Sequence, residues 1–342
     1  MSVTIKDVAS EAKVATSTVS RVLANSPKIS AETAKRVRKA IADLNYHPNH
    51  TARSLASQLT KTIGLVMPSS AHVSFQNPFF PEVIRGISTE AHKKNYGLYL
   101  TTSQTDEEVF EEVQRMVQEK RVDAIILLFS LENDRLVHYL LEQDFPFVLL
   151  GRPAVTNPKD VWYVNNDNVR TGRLATEYLT LLKHERIGLI LNRSDAVVSQ
   201  DRTYGYKEAL AQMNLPVRDD YLAYYTDQHT GSQDAFISVM SVPEPPTAII
   251  AEDMVIFGIL RTVQELLGLR VPDDLSLVAF NNYMISELAS PPVTSIDIQI
   301  FELGTQAMKL LFKQLEDSTS SPEQVIVPHQ LIRRQSCSRW QK

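Results

Sequence analysis

The feature that most constrains this 342-residue chain is a repeated alternation, after residue 60, of short apolar runs with amphipathic helical segments. The first run, Thr62–Met67, stops at Pro68, and helical periodicity follows it at 80–95. The same order continues to Leu150, starts again near Trp162 and reaches Phe280. Continuous apolar strands that alternate with helices are typical of parallel sheets covered by helices on both faces. The pattern therefore predicts an α/β fold with two similar halves, each built on a doubly wound parallel sheet.

Three more segments follow the second half, namely a strand at 294–297, a helix at 301–315 and a final strand at 325–332. We expect them to carry the chain back between the halves. On this basis the first lobe is placed at about 61–161 and 292–322, and the second lobe at about 162–291 and 323–342.

The N-terminal residues have a different pattern, which predicts three short amphipathic helices over 4–45. Thr4 and Asp7 have the spacing of a capping box, so the first helix should begin near Ile5. The second helix is predicted from about Thr16 to Ala24, and Ser30 should cap a third at 31–45. The tight connection between the first two helices is typical of a helix-turn-helix, in which the second helix enters the DNA major groove.

Charge is distributed unevenly along the chain. Residues 1–60 contain nine Lys and Arg against four Asp and Glu, a formal charge of +5. The whole chain carries −5, so residues 61–342 carry −10. A basic head on an acidic body is expected for a domain that contacts phosphates. Helical periodicity alone would also fit an ordinary three-helix bundle with solvated charges.

Two sequence motifs favour the DNA-binding interpretation. The segments TIKDVASEAKVATSTVSRVLANSPKIS (4–30) and NYHPNHTARSLAS (45–57) closely resemble the LacI/GalR family of bacterial transcription regulators, and the resemblance continues through the body. It implies a helix-turn-helix DNA-binding domain at 1–47 and a hinge helix with linker at 48–60. It also implies an effector-binding and dimerisation core at 61–342, with the two-lobed fold of periplasmic binding proteins. In such a fold, ligands bind beyond the carboxyl ends of the strands, between the lobes.

The resemblance assigns roles in DNA binding. Thr16, Ser17 and Arg21 are expected to face base edges, where an Arg can form two hydrogen bonds to guanine and a hydroxyl serves either base type. Residues expected to contact phosphate instead are Thr18, Ser20, Asn25 and His50. In the hinge helix, expected at 49–57, Leu55 matches the position that wedges into the minor groove, with Arg53 along that groove.

Two positions depart from the family pattern. Lys13 stands where Gly is usual, which implies a left-handed backbone at a residue with a side chain. Ala15 stands where Ser usually caps the second helix. Thr16 is the alternative cap, and in that case the residues that face the groove would shift by one.

The resemblance also implies effector contacts in the cleft. In the first lobe, Asn77 should bond a hydroxyl, and Phe79 and Phe80 should stack on a sugar ring, unless one of them begins the helix core. In the second lobe, Arg202 begins a matching R-x-x-G-x-x-x-A-L segment, and Asn281 stands where the family usually has Asp. Two further candidates, with helix capping as the alternative, are Trp162 and Asp253.

Aromatic rings, amides and an Arg in one cleft suit a neutral polyol. The Phe280–Tyr283 run is most similar to maltose-operon regulators of Gram-positive bacteria, so the expected effector is a sugar such as maltose or a maltodextrin. Some family members answer to a partner phosphoprotein instead, and this alternative stays open, as does whether the ligand releases or strengthens DNA binding. One head reads only a half-site, so a homodimer on a near-palindromic operator is expected.

Other classes of protein fit the sequence less well. No run of about 18 apolar residues is present, and the N-terminus does not have a signal-peptide pattern. The single Cys337 cannot form an internal disulfide, which fits a cytoplasmic protein. Nucleotide-binding, nucleophile-elbow and metal-spacing motifs are missing, so we expect no enzyme, cofactor or metal. A secreted sugar-binding protein would fit the body but not the basic head.

Overall fold

The structure, a computed structural model, describes residues 3–23, 26–46, 59–68, 71–155, 157–225, 231–263, 267–317 and 319–341. The chain divides into two compact units, Met1–Thr60 and Lys61–Lys342. None of the helices in the described ranges is long and apolar enough to cross a membrane.

The head contains helices α1 (Ile5–Glu11), α2 (Thr16–Leu23) and α3 (Ala31–Asp43). The Asp7 carboxylate accepts hydrogen bonds from the Thr4 backbone N–H and hydroxyl, both at 2.8 Å, and these bonds lower the pKa of Asp7. Ser30 Oγ accepts from the Thr33 amide at 3.3 Å and caps α3. The predicted starts of α1 and α3 are therefore confirmed, because the capping side chains meet the free amides of each first turn.

An apolar cluster that includes Val8, Ala9, Val19 and Val37 holds the three helices together. Lys13, in the turn between α1 and α2, has φ +51°. The left-handed backbone that the motif implied is thus confirmed. Arg36 of α3 fixes the end of α1, since its Nε donates to the Ala12 carbonyl at 2.9 Å.

The larger unit is an α/β structure whose described strands and helices alternate along most of the chain. In chain order they are β1 (Thr62–Val66), α4 (Ala71–Gln76), α5 (Phe79–Lys93), β2 (Gly97–Leu100), α6 (Asp106–Gln118), β3 (Ala124–Leu127), α7 (Arg135–Glu142), β4 (Phe147–Leu150), β5 (Tyr163–Asn165), α8 (Asn168–Leu181), β6 (Ile187–Asn192), α9 (Val197–Gln212), β7 (Leu222–Tyr225), α10 (Gly231–Met240), β8 (Ala248–Glu252), α11 (Asp253–Thr262), β9 (Ser276–Phe280), α12 (Met284–Leu288), β10 (Thr294–Asp297), α13 (Ile300–Glu316), β11 (Gln324–Ile326) and β12 (Gln330–Ile332).

Two six-stranded sheets organise these elements. The first sheet has the order β11-β5-β4-β3-β1-β2, with every neighbouring pair parallel. The second has the order β12-β10-β9-β8-β6-β7 and is parallel except for the β10–β12 pair. Central strands such as β3, β4 and β9 are buried along their whole length, as apolar strands covered on both faces require.

The chain crosses between the lobes at positions that differ from the predicted boundaries. The strand at 163–165 belongs to the first sheet and the strand at 294–297 to the second. The predicted final strand divides around Pro328 into β11 in the first sheet and β12 in the second. The expected limits at 161, 292 and 323 are therefore wrong by about one strand each, because the two strands at one side of each sheet come from the segments that cross.

The residue pattern of the sequence predicts a helix over 204–213, and the beginning of α9 differs from this prediction. The helix begins at Val197, so Arg202 lies in its second turn and does not begin the helix. Gly172 of α8 and Gly205 of α9 allow these two helices to approach closely, since a Cβ on Gly172 would lie 2.2 Å from the Arg202 carbonyl oxygen. This close crossing places Arg202 relative to α8.

Candidate functional site

A cavity lies between the two lobes, at the carboxyl ends of strands from both sheets. Its first-lobe side is formed by loops that follow β1, β3 and β4, and its second-lobe side by residues that follow β6, β8 and β9 together with the start of α9. This is where an α/β fold of two parallel sheets is expected to bind a small molecule.

Five of the seven predicted effector residues line this cavity, namely Asn77, Phe79, Phe80, Arg202 and Asn281. The Phe80 side chain is only 8% exposed and belongs to the core cluster, with its ring edge-on to Phe79 at 5.3 Å between centroids. Phe79 is half-buried. One phenylalanine thus packs mainly in the core, as the alternative interpretation anticipated.

Trp162 and Asp253 do not line the cavity, so these two assignments are corrected. Trp162 is 5% exposed and packs in the apolar core beside β5. Asp253 is fully buried at the start of α11, where its carboxylate accepts hydrogen bonds from the Tyr283 amide at 3.1 Å and from the Ser286 hydroxyl. Burial raises the pKa of Asp253 to about 7. Its role is to hold the chain after β9.

Arg202 is the most buried charged group of the cavity, with 3% of the residue exposed. Its Nη2 donates to Asn281 Oδ1 at 3.3 Å, its Nη1 lies 3.8 Å from Glu252 Oε1, and its guanidinium carbon lies 4.1 Å from the Phe280 ring centroid. Burial lowers its pKa. Its Nε is buried and has no hydrogen-bond partner among the described residues. An unsatisfied buried N–H is costly, so this atom is a natural contact for an oxygen acceptor on a ligand.

Among the residues that the structure describes, three arginines line the cavity, and each is matched by a carboxylate. Arg152 of the first lobe donates to Asp201 of the second at 2.8 and 3.2 Å. Arg193 donates to Asp195 at 2.7 and 2.9 Å, and Arg202 faces Glu252. The formal charges around the cavity are therefore balanced. The predicted site residues include Arg202 and Asp253 but not Glu252, whose Oε1 at the end of β8 lies 3.8 Å from Arg202 Nη1.

A hydrogen-bonded chain of side chains crosses the cavity region. It runs from Arg202 through Asn281 to the Tyr283 hydroxyl at 3.1 Å, and from there to Asn77 Oδ1 at 3.0 Å. Tyr283 was not among the predicted site residues. Its only sequence signal is its place in the Phe280–Tyr283 run, two residues after the cavity residue Asn281.

In the head, Thr16, Ser17, Ser20 and Arg21 are exposed on α2, and Thr18 is half-buried. The Ala15 carbonyl accepts from the amides of the first turn, with distances of 2.9 Å to Thr18 N and 3.2 Å to Val19 N, and α2 begins at Thr16. Ala15 therefore keeps the cap position, and the alternative start with Thr16 as the cap is not seen. The remaining DNA-contact predictions lie outside the described residues, and they are Asn25, His50, Arg53, Leu55 and the hinge helix at 49–57.

A helix-turn-helix head joined to a two-lobed, cavity-bearing core defines a DNA-binding regulator of transcription. Residues 4–49 match the family of bacterial regulatory proteins called the lacI family, and residues 60–335 match the family of periplasmic binding proteins and the sugar binding domain of the LacI family. The chain belongs to the LacI family. It is a transcriptional regulator and not an enzyme.

Relatives share nearly the whole chain. The transcriptional regulator MalR of Streptococcus pneumoniae is 34% identical over 350 residues, which covers 98% of this chain and 100% of that protein. A LacI transcriptional regulator of Bacillus cereus subsp. cytotoxis has a solved structure with TM-score 0.79 and 44% identity over 82% of this chain and 99% of its own. A Staphylococcus aureus protein described as the maltose operon transcriptional repressor malR has TM-score 0.73 and 29% identity over 81% and 98% of the two chains.

Proposed function

We propose that an uncharged sugar binds in the cavity between the lobes and controls how tightly the protein holds its operator DNA. The observation that carries this proposal is the balanced charge around the cavity, where Arg152, Arg193 and Arg202 each face a carboxylate. A phosphate or carboxylate ligand would meet Asp201 and Glu252 without a free cation among the described cavity residues to offset them. Hydroxyl groups, which donate and accept, suit a lining of carboxylates, amides and the free Nε of Arg202.

Maltose or a maltodextrin is the sugar we propose. The half-buried Phe79 ring offers an apolar surface for the face of a glucose ring, and Asn77, Asn281 and Glu252 supply polar groups to the same cavity lining. The MalR of Streptococcus pneumoniae and the maltose operon repressor of Staphylococcus aureus, both similar to this chain, support the same choice.

For DNA binding we propose that a homodimer places two α2 helices on a near-palindromic operator in the cytoplasm. Thr16, Ser17 and Arg21, exposed on α2, read base edges, while Thr18 and Ser20 contact phosphate. The roles of Asn25, His50, Arg53 and Leu55 stay predictions from the sequence.

The test begins with an operator selected by the purified protein from random duplex DNA. Binding of this duplex is then followed by fluorescence anisotropy at fixed ionic strength, because phosphate contacts depend on salt. Maltose, glucose, cellobiose and glucose 6-phosphate are titrated into the complex. We expect maltose to change operator affinity at least tenfold and glucose 6-phosphate to have no effect.

Two variants test whether maltose acts through the cavity between the lobes. Arg202→Met should weaken maltose binding about tenfold to a hundredfold, since it removes the charged donors that face the cavity. Arg170→Met is the matched control, because Arg170 is exposed on α8 and pairs with Glu177 at 3.4 Å, away from the cavity lining. If Arg202→Met keeps full affinity for maltose, or if only glucose 6-phosphate alters operator binding, the proposed effector site is wrong.

A further inference from the structure

The hydrogen bonds across the cavity form one chain, and Tyr283 lies at its centre. The Tyr283 hydroxyl is 3.0 Å from Asn77 Oδ1 in the first lobe and 3.1 Å from Asn281 Nδ2 in the second. The Tyr283 residue is 8% exposed. It therefore makes a buried polar contact between lobes, although Asn77 is 206 residues away in the sequence.

The donor–acceptor direction of this series of hydrogen bonds is set at both ends by N–H groups, which can only donate. The Phe79 backbone N–H donates to Asn77 Oδ1 at 3.0 Å, so the atom at that position must be the amide oxygen. At the other end Arg202 donates to Asn281 Oδ1, so Asn281 Nδ2 must face Tyr283. Tyr283 consequently accepts from Asn281 and donates its single proton to Asn77.

Tyr283 keeps that proton over the whole physiological range. Burial, with the nearby Glu252 and Asp253 carboxylates, raises the pKa of Tyr283 well above its usual value. Asn77 Oδ1 then accepts two hydrogen bonds, from Phe79 and Tyr283. The Asn77 NH₂ group is left as the part of the amide that can serve a ligand in the cavity, which Asn77 lines.

We propose that Tyr283 is a positioning residue that links the two lobes and orients the Asn77 amide so that its NH₂ group meets an acceptor oxygen of the sugar. The sugar part of this inference rests on the proposed function. The link between lobes does not, because it follows from contacts within the chain.

The same direction of bonding makes the amide at position 281 necessary. Asn281→Asp places a second acceptor where Nδ2 now donates. The single Tyr283 proton can then bond either the new carboxylate or Asn77 Oδ1, but not both. Because this substitution keeps the shape and volume of the side chain, it tests the donor–acceptor order of the hydrogen bonds separately from the packing at position 281.

The first experiment uses the full chain without ligand and measures hydrogen–deuterium exchange by mass spectrometry. Tyr283→Phe and Asn281→Asp are each expected to accelerate exchange of the peptide 74–82, which contains the Phe79 amide, by about 5- to 30-fold. The matched control is Tyr206→Phe, which removes an equally buried hydroxyl that donates to the Ile187 carbonyl at 2.6 Å within the second lobe. It should leave the 74–82 peptide unchanged. If the peptide 74–82 exchanges at the wild-type rate in Tyr283→Phe, the proposed contact between the lobes is wrong. If it exchanges at the wild-type rate in Asn281→Asp, the proposed donor–acceptor order of the hydrogen bonds is wrong.

The second experiment measures maltose binding by isothermal titration calorimetry. Tyr283→Phe should weaken binding at least fivefold, whereas Tyr206→Phe should stay within twofold of the wild type. If exchange at 74–82 accelerates but maltose affinity is unchanged, the orientation of Asn77 toward the sugar is refuted. If the wild type itself does not bind maltose, the proposed effector is wrong, while the exchange experiment still decides whether Tyr283 joins the lobes.

Discussion

The crossing of α8 and α9 leaves no room for a side chain at Gly205. A Cβ built there lies 1.9 Å from the Val169 carbonyl oxygen and 2.8 Å from the Arg173 nitrogen, and both are backbone atoms. Ordinary contact begins at 3.4 Å, so the two helices must separate locally by about 1.5 Å. Backbone atoms cannot rotate away as a flexible side chain can. Gly205→Ala should therefore be strongly destabilising.

Two opposing effects set the magnitude. Ala is favoured over Gly in a helix interior by about 1 kcal/mol, which stabilises the variant. Forcing packed elements apart costs about 1–3 kcal/mol or more, and the buried Tyr206 beside Gly205 would lose contacts as well. We take the upper part of that range because the clash is with backbone, which gives a net loss of about 2 kcal/mol. For a unit of this size the entropy of unfolding is about 0.6 kcal/mol/K, so the loss corresponds to a melting temperature that is lower by about 3 °C.

Gly258 supplies the matched control within the same lobe. It lies in the exposed part of α11, and a Cβ there would meet no atom of the described residues within 4 Å. Gly258→Ala should raise stability by about 0.5–1 kcal/mol through helix propensity alone. Scanning calorimetry of both variants under one set of conditions tests the argument. A Gly205→Ala protein that melts at or above the wild-type temperature would refute the packing argument.

Two further predictions concern the head and the connection between α8 and β6. Lys13→Gly should stabilise the head by about 0.5–1 kcal/mol, because Lys13 has φ +51°. Slower amide exchange within 3–46 of the full chain would show this, and unchanged exchange would contradict it. Burial lowers the pKa of His184 to about 4, below the ordinary 6.5, where it bonds Thr247 Oγ1 at 2.9 Å. Its contribution to stability is complete above pH 6.5 and is lost as the pH falls toward 4. His184→Gln should therefore melt with less pH dependence than the wild type over this window, and equal slopes would count against the burial argument.

The regular part of the fold was predictable from the sequence because its signals are local. The range of β10 agrees with the predicted strand at 294–297, α13 agrees with the predicted helix at 301–315 within one residue at each end, and α5 begins within one residue of the predicted 80. Short α4 and α12 were not predicted, since five or six residues carry too little periodicity. The start of α9 was missed because its first turns carry polar residues that face the cavity, among them Ser199 and Asp201. Such residues interrupt the apolar pattern on which the prediction relied.

Assignment of strands to lobes needed information that no local pattern holds. The run at 325–332 reads as one strand, yet its two ends pair in different sheets. Similarly, the cavity residues Asn77, Phe79, Arg202 and Asn281 were found through motifs, whereas the Arg152–Asp201 and Tyr283–Asn77 contacts were not. Each of these contacts joins residues that are distant in the sequence, and only the folded chain brings them together.

The three segments that connect the lobes are tied together by a single amide. Asn166 Nδ2 donates to the carbonyls of Ile298 at 3.0 Å and Val327 at 2.9 Å, and each of these three residues lies on a different crossing segment. Because the crossings are bound to one another, one lobe can rotate about this point more readily than it can slide past the other. Away from the crossings, the lobes meet through Val197 N and the Ser130 carbonyl at 3.1 Å, and through Glu132 N and the Asp195 carbonyl at 2.9 Å.

The cavity lining includes the crossing residues Asn166 and Ile298 together with Ser130 and Val197, whose backbone groups join the lobes. A rotation that moves the lobes apart at the cavity must therefore stretch the contact at Ser130 and the Tyr283–Asn77 hydrogen bond together. The width of the cavity therefore changes together with the angle between the lobes. A ligand that fills the cavity changes the angle between the lobes only to the extent that it binds one arrangement of the lobes more tightly than another. The hydrogen bonds between the lobes oppose a change of this angle. The ligand's difference in binding free energy between the two arrangements must therefore exceed the free energy of these bonds.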